Sequence, residues 1–376
     1  MRPLDGLVVL DLTRLLPGAA ATLQLANFGA EVIKIEEPGR GDYARAIPPF
    51  MEGEGAVFRT VNRGKKSIAL DLKSDADRDV FLKLAESADV VIESFRPGTT
   101  ERLGISYEAL RERNLRLIYV SITGYGQSGP WAGLAGHDIN YLAMGGALDL
   151  NGVRGGPPVI PGVQIADLVG AAQAVTGVLL ALAARVRTGR GQMVDVSMAD
   201  GVASLLPVPL AMHAATGEVP ARGDGVLSGR YACYRVYEAA DGRWIAVGAL
   251  EPKFWHALCR ALGCEQFTAD QFAEGPRREE IIAELGRILR TRTAAEWFDR
   301  LRQADACVTP VRNVAEAAAQ FGLGPGDSVV LPRLSETPGR LGGAAPRLGG
   351  QTRDLFPSDE VHDRDNHQGE DEADGH

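Results

Sequence analysis

Cysteine and histidine are scarce in this chain of 376 residues, and aromatic residues make up only 6% of it. The four cysteines (Cys233, Cys259, Cys264 and Cys307) form no CxxC and have no histidine at metal-ligand spacing. No zinc site or redox pair is therefore indicated, and reduced, ordinary buried thiols in a cytoplasmic setting are expected. No G-x-G-x-x-G follows the first strand signal, where the turn reads DLTRLLPGAAA, and this argues against a nicotinamide or flavin role. A basic excess is also missing, with 40 Lys and Arg against 49 Asp and Glu, which argues against nucleic acid as a partner. The single long apolar run, VGAAQAVTGVLLALAARV, is alanine-rich between polar flanks and is read as a buried helix rather than a membrane span. Asp5 and Asp11 interrupt the N-terminal apolar run, against a secretory signal.

The charge is unevenly spread. Of the net −9, residues 357–376 carry −7 (eight acidic residues and one arginine), which leaves −2 for the rest. That segment has almost no apolar side chains to bury, and disorder is expected there. Elsewhere the composition is that of a globular protein, 45% hydrophobic and 24% charged, at a length that suits two domains.

The first part alternates strand and helix signals. GLVVLDL, AEVIKIE, SIALDL, DVVIESF and LRLIYVSITGYG read as strands, and GAAATLQLANFG, SDADRDVFLKLAESA and SYEALRERN as helices. Ser74 is placed to cap the second helix, with acidic residues in its first turn. Such alternation predicts an α/β fold with a mostly parallel sheet, helices on both faces and ligands at the carboxyl ends of strands. After about residue 196, DVSMADGVASLLPVPLAMHAATG reads as helical. YACYRVYEAADGRWIAVGAL reads as two strands joined at Asp241-Gly242, and helices follow to about residue 304. The expected division is a large domain over 1–196, a linker over 197–228, a small α+β domain over 229–315, a return segment over 316–356 and the acidic tail.

Three acid–base candidates stand out. His137, in GHDINYLAMGGALDL, falls at the start of a helical pattern with Asp138 as its expected N-cap. The positive end of a helix disfavours imidazolium and keeps such a histidine able to accept a proton. A merely structural histidine fits the pattern as well. Asp167 precedes a long helix whose expected apolar face is Leu168, Ala171, Ala172, Val175, Val178, Leu179 and Leu182. It reads either as an N-cap or as a carboxylate for acid–base or nucleophilic work beside free backbone N–H groups. Glu251, ahead of Pro252, reads as an N-cap or a further acid. Arg40, Arg45, Arg63, Lys65, Lys66 and Arg96 follow strands or sit in loops, where they could gather round phosphates or stand as solvated surface charges.

Taken in order, LDGLVVLDLTRLLPG, GAEVIKIEEPGRGD, NRGKKSIALDLK, ADVVIESFRPGTTERLGI, LIYVSITGYGQSGPWAGLAGHDINYLAMGGAL, GQMVDVSMADG, ADGRWIAVGALEPKFW and DACVTPV resemble the family III CoA-transferases from residue 1 to about 356. Within them, the histidine of GHDINY is similar to the α-methylacyl-CoA racemase branch. That resemblance implies a Rossmann-like large domain, a small α+β domain and an interlocked homodimer, with the active site shared between subunits. It also implies an acyl-CoA thioester as substrate, racemised by 1,1-proton transfer, with no metal or redox cofactor. Carried over by position, it implies His137 and Asp167 as the two bases and Glu251 as the acid assisting the histidine, from the neighbouring subunit. CoA and substrate contacts are implied at Arg40, Arg63, Lys65, Arg96, Gly136, Asp138 and Tyr141. Two rival readings remain: a CoA-transferase with Asp167 as nucleophile, and a non-catalytic acyl-CoA binder. Departures from the family pattern are Gly350-Gln351, where an acid and a histidine are usual, and Cys233, where proline is common.

Overall fold

The computed structural model describes residues 1–352; the acidic segment 357–376 lies outside them. The described chain divides into two units. The first comprises 1–135, 167–198 and the chain from 325, and the second 136–166 and 199–324. This differs from the expected division in three places, the first being that residues 199–228, expected as a linker, belong to the second unit. Residues 136–166, placed by sequence in the large domain, belong with the second unit, and the return begins at 325 rather than 316.

In the first unit, β1 (Val8–Asp11), β2 (Glu31–Glu36), β3 (Lys66–Ala69), β4 (Val90–Glu93), β5 (Ile118–Thr123) and β6 (Met193–Ser197) form one sheet. The order is β3-β2-β1-β4-β5-β6 and every pairing is parallel. The chain builds outward from β1 through β2 to β3, then crosses to the other side of β1 to add β4. The crevice at such a reversal, above the carboxyl ends of the strands, is where this architecture binds ligands. Strands β4 and β5 are buried along their whole length, as unbroken apolar runs covered on both faces require. Ser74 does precede the helix Asp75–Ser87, with Asp75 and Asp77 in its first turn.

Met193–Ser197 is a strand although DVSMADG reads as helical, and the helix starts only at Met198. Ladder pairing with β5, from Tyr119↔Met193 to Thr123↔Ser197, decides this over local pattern. The long helix Ile165–Thr188 also differs from expectation. Its buried stripe is Ala166, Ala171, Ala174, Val175, Val178 and Ala181, whereas Leu168 and Leu179 are exposed. The cause is steric. Gly170 and Gly177 face Met198 and Val194, where a Cβ would come within 2.7 and 2.4 Å of their side chains, so the small-residue stripe seats on β6 and the leucines turn outward. Among the described residues this helix alone is long and apolar enough to cross a membrane.

At the sheet edge, Gln351 does specific work. Its Oε1 accepts from Ser67 N at 2.8 Å and its own N donates to Ser67 O at 3.0 Å, while Thr352 Oγ1 accepts from Ala69 N at 3.0 Å. The open edge of β3 is thereby occupied.

The second unit carries β7 (Tyr234–Glu238), β8 (Trp244–Gly248) and β9 (Val308–Pro310) as an antiparallel sheet in the order β9-β8-β7. The β7–β8 hairpin turns at Asp241-Gly242, with Gly242 at φ 71°. Strand β9 and the helix Val314–Phe321 were not foreseen. The core gathers Trp255, Leu258, Leu285, Leu289, Trp297 and Leu301 from the helices on the sheet. Cys233, Cys259 and Cys264 are buried as expected, whereas Cys307 is exposed.

Candidate active site

The carboxyl ends of β1, β2, β3 and β4 surround a cleft of about 450 Å³. Arg14, Arg40, Tyr43, Lys73, Phe95 and Arg102 line it together with Glu36, Glu37 and Asp71. Arg14, Lys73 and Phe95 follow closely on strand ends, whereas Tyr43 lies on the helical turn Tyr43–Ala46 and Arg102 on the helix Thr99–Arg102. The Arg14 guanidinium stands 4.8 Å from the Tyr43 ring centroid and 5.7 Å from that of Phe95, and its Nη1 donates to Tyr43 Oη at 2.6 Å. Arg40 lies 4.6 Å from the same Tyr43 ring. Stacked guanidinium and aromatic planes at a cationic rim suit a ligand with an aromatic base and phosphates.

Beneath the cleft lies a buried charge cluster. Lys65 Nζ donates to Thr22 Oγ1 at 2.7 Å, Asn62 Oδ1 at 2.8 Å, Ala19 O at 3.0 Å and Asp11 Oδ2 at 3.2 Å. Lys34 Nζ pairs with Asp42 at 3.0 Å and donates to Thr13 O at 2.7 Å. Burial alone would raise the Asp11 carboxyl, but Lys34 and Lys65 hold it down to about 2. Burial pushes the Lys65 ammonium down to about 8 against the pull of Asp11. Lys65 is thus a correction. A phosphate contact was expected, but its ammonium is enclosed and its donors are spent on the core.

The other basic candidates separate in the same way. Arg63 pairs with Asp327 at 2.8 Å and donates to the carbonyls of Gly326 and Gly342, which fastens the return segment. Arg45 is buried against Glu36 at 2.7 Å. Arg40 and Arg96 are exposed, and Arg40 reaches the cleft. Sequence reasoning passed over Arg14, Tyr43, Phe95, Lys73 and Arg102. For Arg14, Lys73 and Phe95 the available signal was their position shortly after strand ends; Tyr43 and Arg102 carried no such signal.

His137 is itself the N-cap of the helix Asp138–Met144, at φ −131° and ψ 178°, a place expected for Asp138. Its N donates to Asn140 Oδ1 at 3.0 Å, and the residue is exposed. Asp138 instead reaches away, its Oδ1 accepting from Ala166 N at 2.7 Å. The residue after His137 is thereby clamped to the residue before Asp167. Tyr141 Oη donates to Gly136 O, so two of the expected substrate contacts brace the histidine turn. Asp167 is half-buried as the third residue of Ile165–Thr188, inside the helix rather than at its expected cap. Glu251 is the exposed N-cap of Pro252–Leu262, with Pro252 at the first helical position. His137 and Glu251 belong to the second unit and Asp167 to the first. Among the described residues no cluster of His, Cys, Asp and Glu could hold a metal ion.

The profile of CoA-transferase family III matches residues 4–352. The chain belongs to that family. It is 40% identical to an acetyl-CoA:oxalate CoA-transferase of Acetobacter aceti, over 84% of this chain and 82% of that protein. It is 37% identical to an alpha-methylacyl-CoA racemase of Homo sapiens, over 83% of this chain and 78% of the relative. A CAIB/BAIF family protein from Brucella suis superposes with a TM-score of 0.83 at 31% identity, covering 94% of this chain and 98% of that one. The six-stranded parallel sheet and the small antiparallel sheet are this family's fold, and both transferases and racemases are among the relatives.

Proposed function

We propose that this family III enzyme interconverts (R)- and (S)-2-methylacyl-CoA thioesters. The observation that carries the reading is the exposed His137, set on a turn that Asp138 clamps to the backbone of Ala166, next in the chain to Asp167. A thioester carbonyl acidifies its α-hydrogen. One group removes that proton as a base and leaves an enolate, and the other, entering protonated, returns a proton to the opposite face. A neutral imidazole and a carboxylic acid supply the two required states, and their roles exchange with direction. Backbone N–H groups in the first turn of the helix bearing Asp167, apart from that of Ala166, which Asp138 occupies, are suited to hold the enolate oxygen. CoA lies with its adenine and phosphates in the cleft of Arg14, Arg40 and Tyr43. The chemistry calls for no metal or redox cofactor.

The second reading is CoA transfer, favoured by the 40% identity to an oxalate CoA-transferase. There the Asp167 carboxylate attacks the thioester and expels CoA thiolate as an acyl-aspartyl anhydride forms. The thiolate then attacks the aspartyl carbonyl, releasing the first acid and leaving an aspartyl-CoA thioester, from which a second acid takes CoA by the same two steps in reverse. One experiment separates the two. A single epimer of a 2-arylpropionyl-CoA is incubated with enzyme in deuterium oxide and followed by NMR. Deuterium entering C2 with loss of configuration, in the absence of any acid acceptor, is the expected result. A C2 that keeps its hydrogen while CoA moves to an added carboxylic acid would establish transfer. A third outcome, binding with neither reaction, would leave an acyl-CoA binder.

In this reading Glu251 supports His137 across a dimer, in the neighbouring copy's site. Co-expressing His137→Ala and Glu251→Ala chains is expected to restore about a quarter of wild-type activity, because half of randomly paired dimers then hold one intact site. No restoration would put both residues in one chain's site.

A further inference from the structure

Glu93 ends β4, one of the strands whose carboxyl ends surround the cleft, and is only 2% exposed. Its Oε2 accepts from Phe95 N at 2.6 Å, and its carboxyl is hydrogen-bonded to Ser121, its register partner on β5. Ser121 Oγ in turn accepts from Gln127 Nε2, and Gln127 N donates to Asp195 on β6 at 3.0 Å. On the other side, Ser94 Oγ accepts from Arg14 N at 3.1 Å. The turn that Glu93 caps therefore sets two walls of the cleft, the Phe95 ring and the Arg14 backbone.

We propose that Glu93 is a positioning residue for substrate binding: its carboxyl holds the Ser94–Arg96 turn in place, and its ionisation weakens the cleft's hold on the polyphosphate end of acyl-CoA. The inference rests on the assignment of CoA to that cleft. The groups that face Glu93 are Tyr119 on β5, Glu101 on the helix Thr99–Arg102 and Asp195 on β6. Burial pushes the Glu93 carboxyl up to about 7, and the negative charges of Glu101 and Asp195 add to the rise against the bonds from Ser121 and Phe95. The cleft consequently sits over a neutral acid below that pH and over a buried negative charge above it, beside a ligand that is itself polyanionic.

The test is acetyl-CoA binding by calorimetry, at about pH 6 and about pH 8.5, to wild type, Glu93→Gln and Glu93→Ala, with turnover measured alongside. Glu93→Gln, isosteric and never charged, is expected to match wild type at the lower pH and to bind about three- to tenfold more tightly at the higher. It also reports the ligand's own phosphate titration, which both proteins share. Glu93→Ala, without the Phe95 anchor, is expected to lose about tenfold in affinity at both values while kcat at saturation stays within about twofold. Parallel pH profiles for wild type and Glu93→Gln would overturn the proposal, and so would wild-type affinity in Glu93→Ala. Should the alanine variant not fold, the glutamine comparison decides alone. Failure of wild type to bind acetyl-CoA at either pH would overturn the cleft assignment, and this proposal with it.

Discussion

Asp167→Ala and His137→Ala are each expected to cut racemisation by about 10²–10⁴-fold, with acyl-CoA affinity nearly unchanged. Inversion needs a proton donor and a proton acceptor on opposite faces, so neither group can substitute for the other. The pair of variants also reads out the mechanism. Under racemisation both fail, and each can still exchange the α-proton of only one epimer with solvent, on the face that its surviving base serves. Under CoA transfer, Asp167→Ala abolishes activity and His137→Ala leaves it largely intact, because an anhydride requires the carboxylate and not the imidazole. Stereochemical NMR on both epimers is the measurement. Near-wild-type turnover in either variant would remove that residue from the reaction.

Asp11→Asn is expected to give the largest loss of stability, about 3–5 kcal/mol at neutral pH. The amide keeps the shape and can still accept from Thr13, but it removes the anion that Lys34 and Lys65 share and leaves them with Asp42 and, for Lys34, Glu36. A buried ammonium without its counterion must shed its proton or bear the desolvation cost. The pH dependence carries a defined sign. In wild type the Asp11 carboxyl lies at about 2, below its ordinary 3.8, so its stabilisation is complete above 3.8 and is lost as pH falls through about 2. Lys65, pushed down to about 8 from 10.5, acts oppositely: stability rises with pH between those values, because the unfolded chain still binds the proton there. Removing Asp11 depresses Lys65 further. The gap between wild type and Asp11→Asn in urea unfolding is therefore expected to narrow as pH rises from neutral through about 8, where wild-type Lys65 gives up its proton as well, and to level off above it. A constant gap, or none, would show that Asp11 does not neutralise these lysines.

Much of the architecture follows from the sequence alone. The apolar runs VVLDL, EVIKIE and VVIESF alternate with helical patterns, and local periodicity is enough to predict a parallel α/β sheet, the hairpin at Asp241-Gly242 and the caps at Ser74 and Glu251. The ordered motifs from residue 1 to about 356 identify the family, because so long a series of matched turns and strand ends is not produced by periodicity alone. Tertiary structure decided the rest, wherever an outcome depends on residues far apart in the chain. Lys65 and Arg40 look alike as basic residues after strands, yet β1 and the helix Leu15–Asn27 enclose one with Asp11 and leave the other at the rim. Asp138 reads as a helix cap, but the chain's return brings Ala166 N to it. Gln351 reads as a departure from the family pattern, and its amide completes the edge of β3. Glu93 is an ordinary acid at a strand end until Ser121, Glu101 and Asp195 surround it. Periodicity records which face of an element is apolar, whereas strand order fixes which charges meet in the dry interior, where one proton or one counterion changes the energy by several kcal/mol.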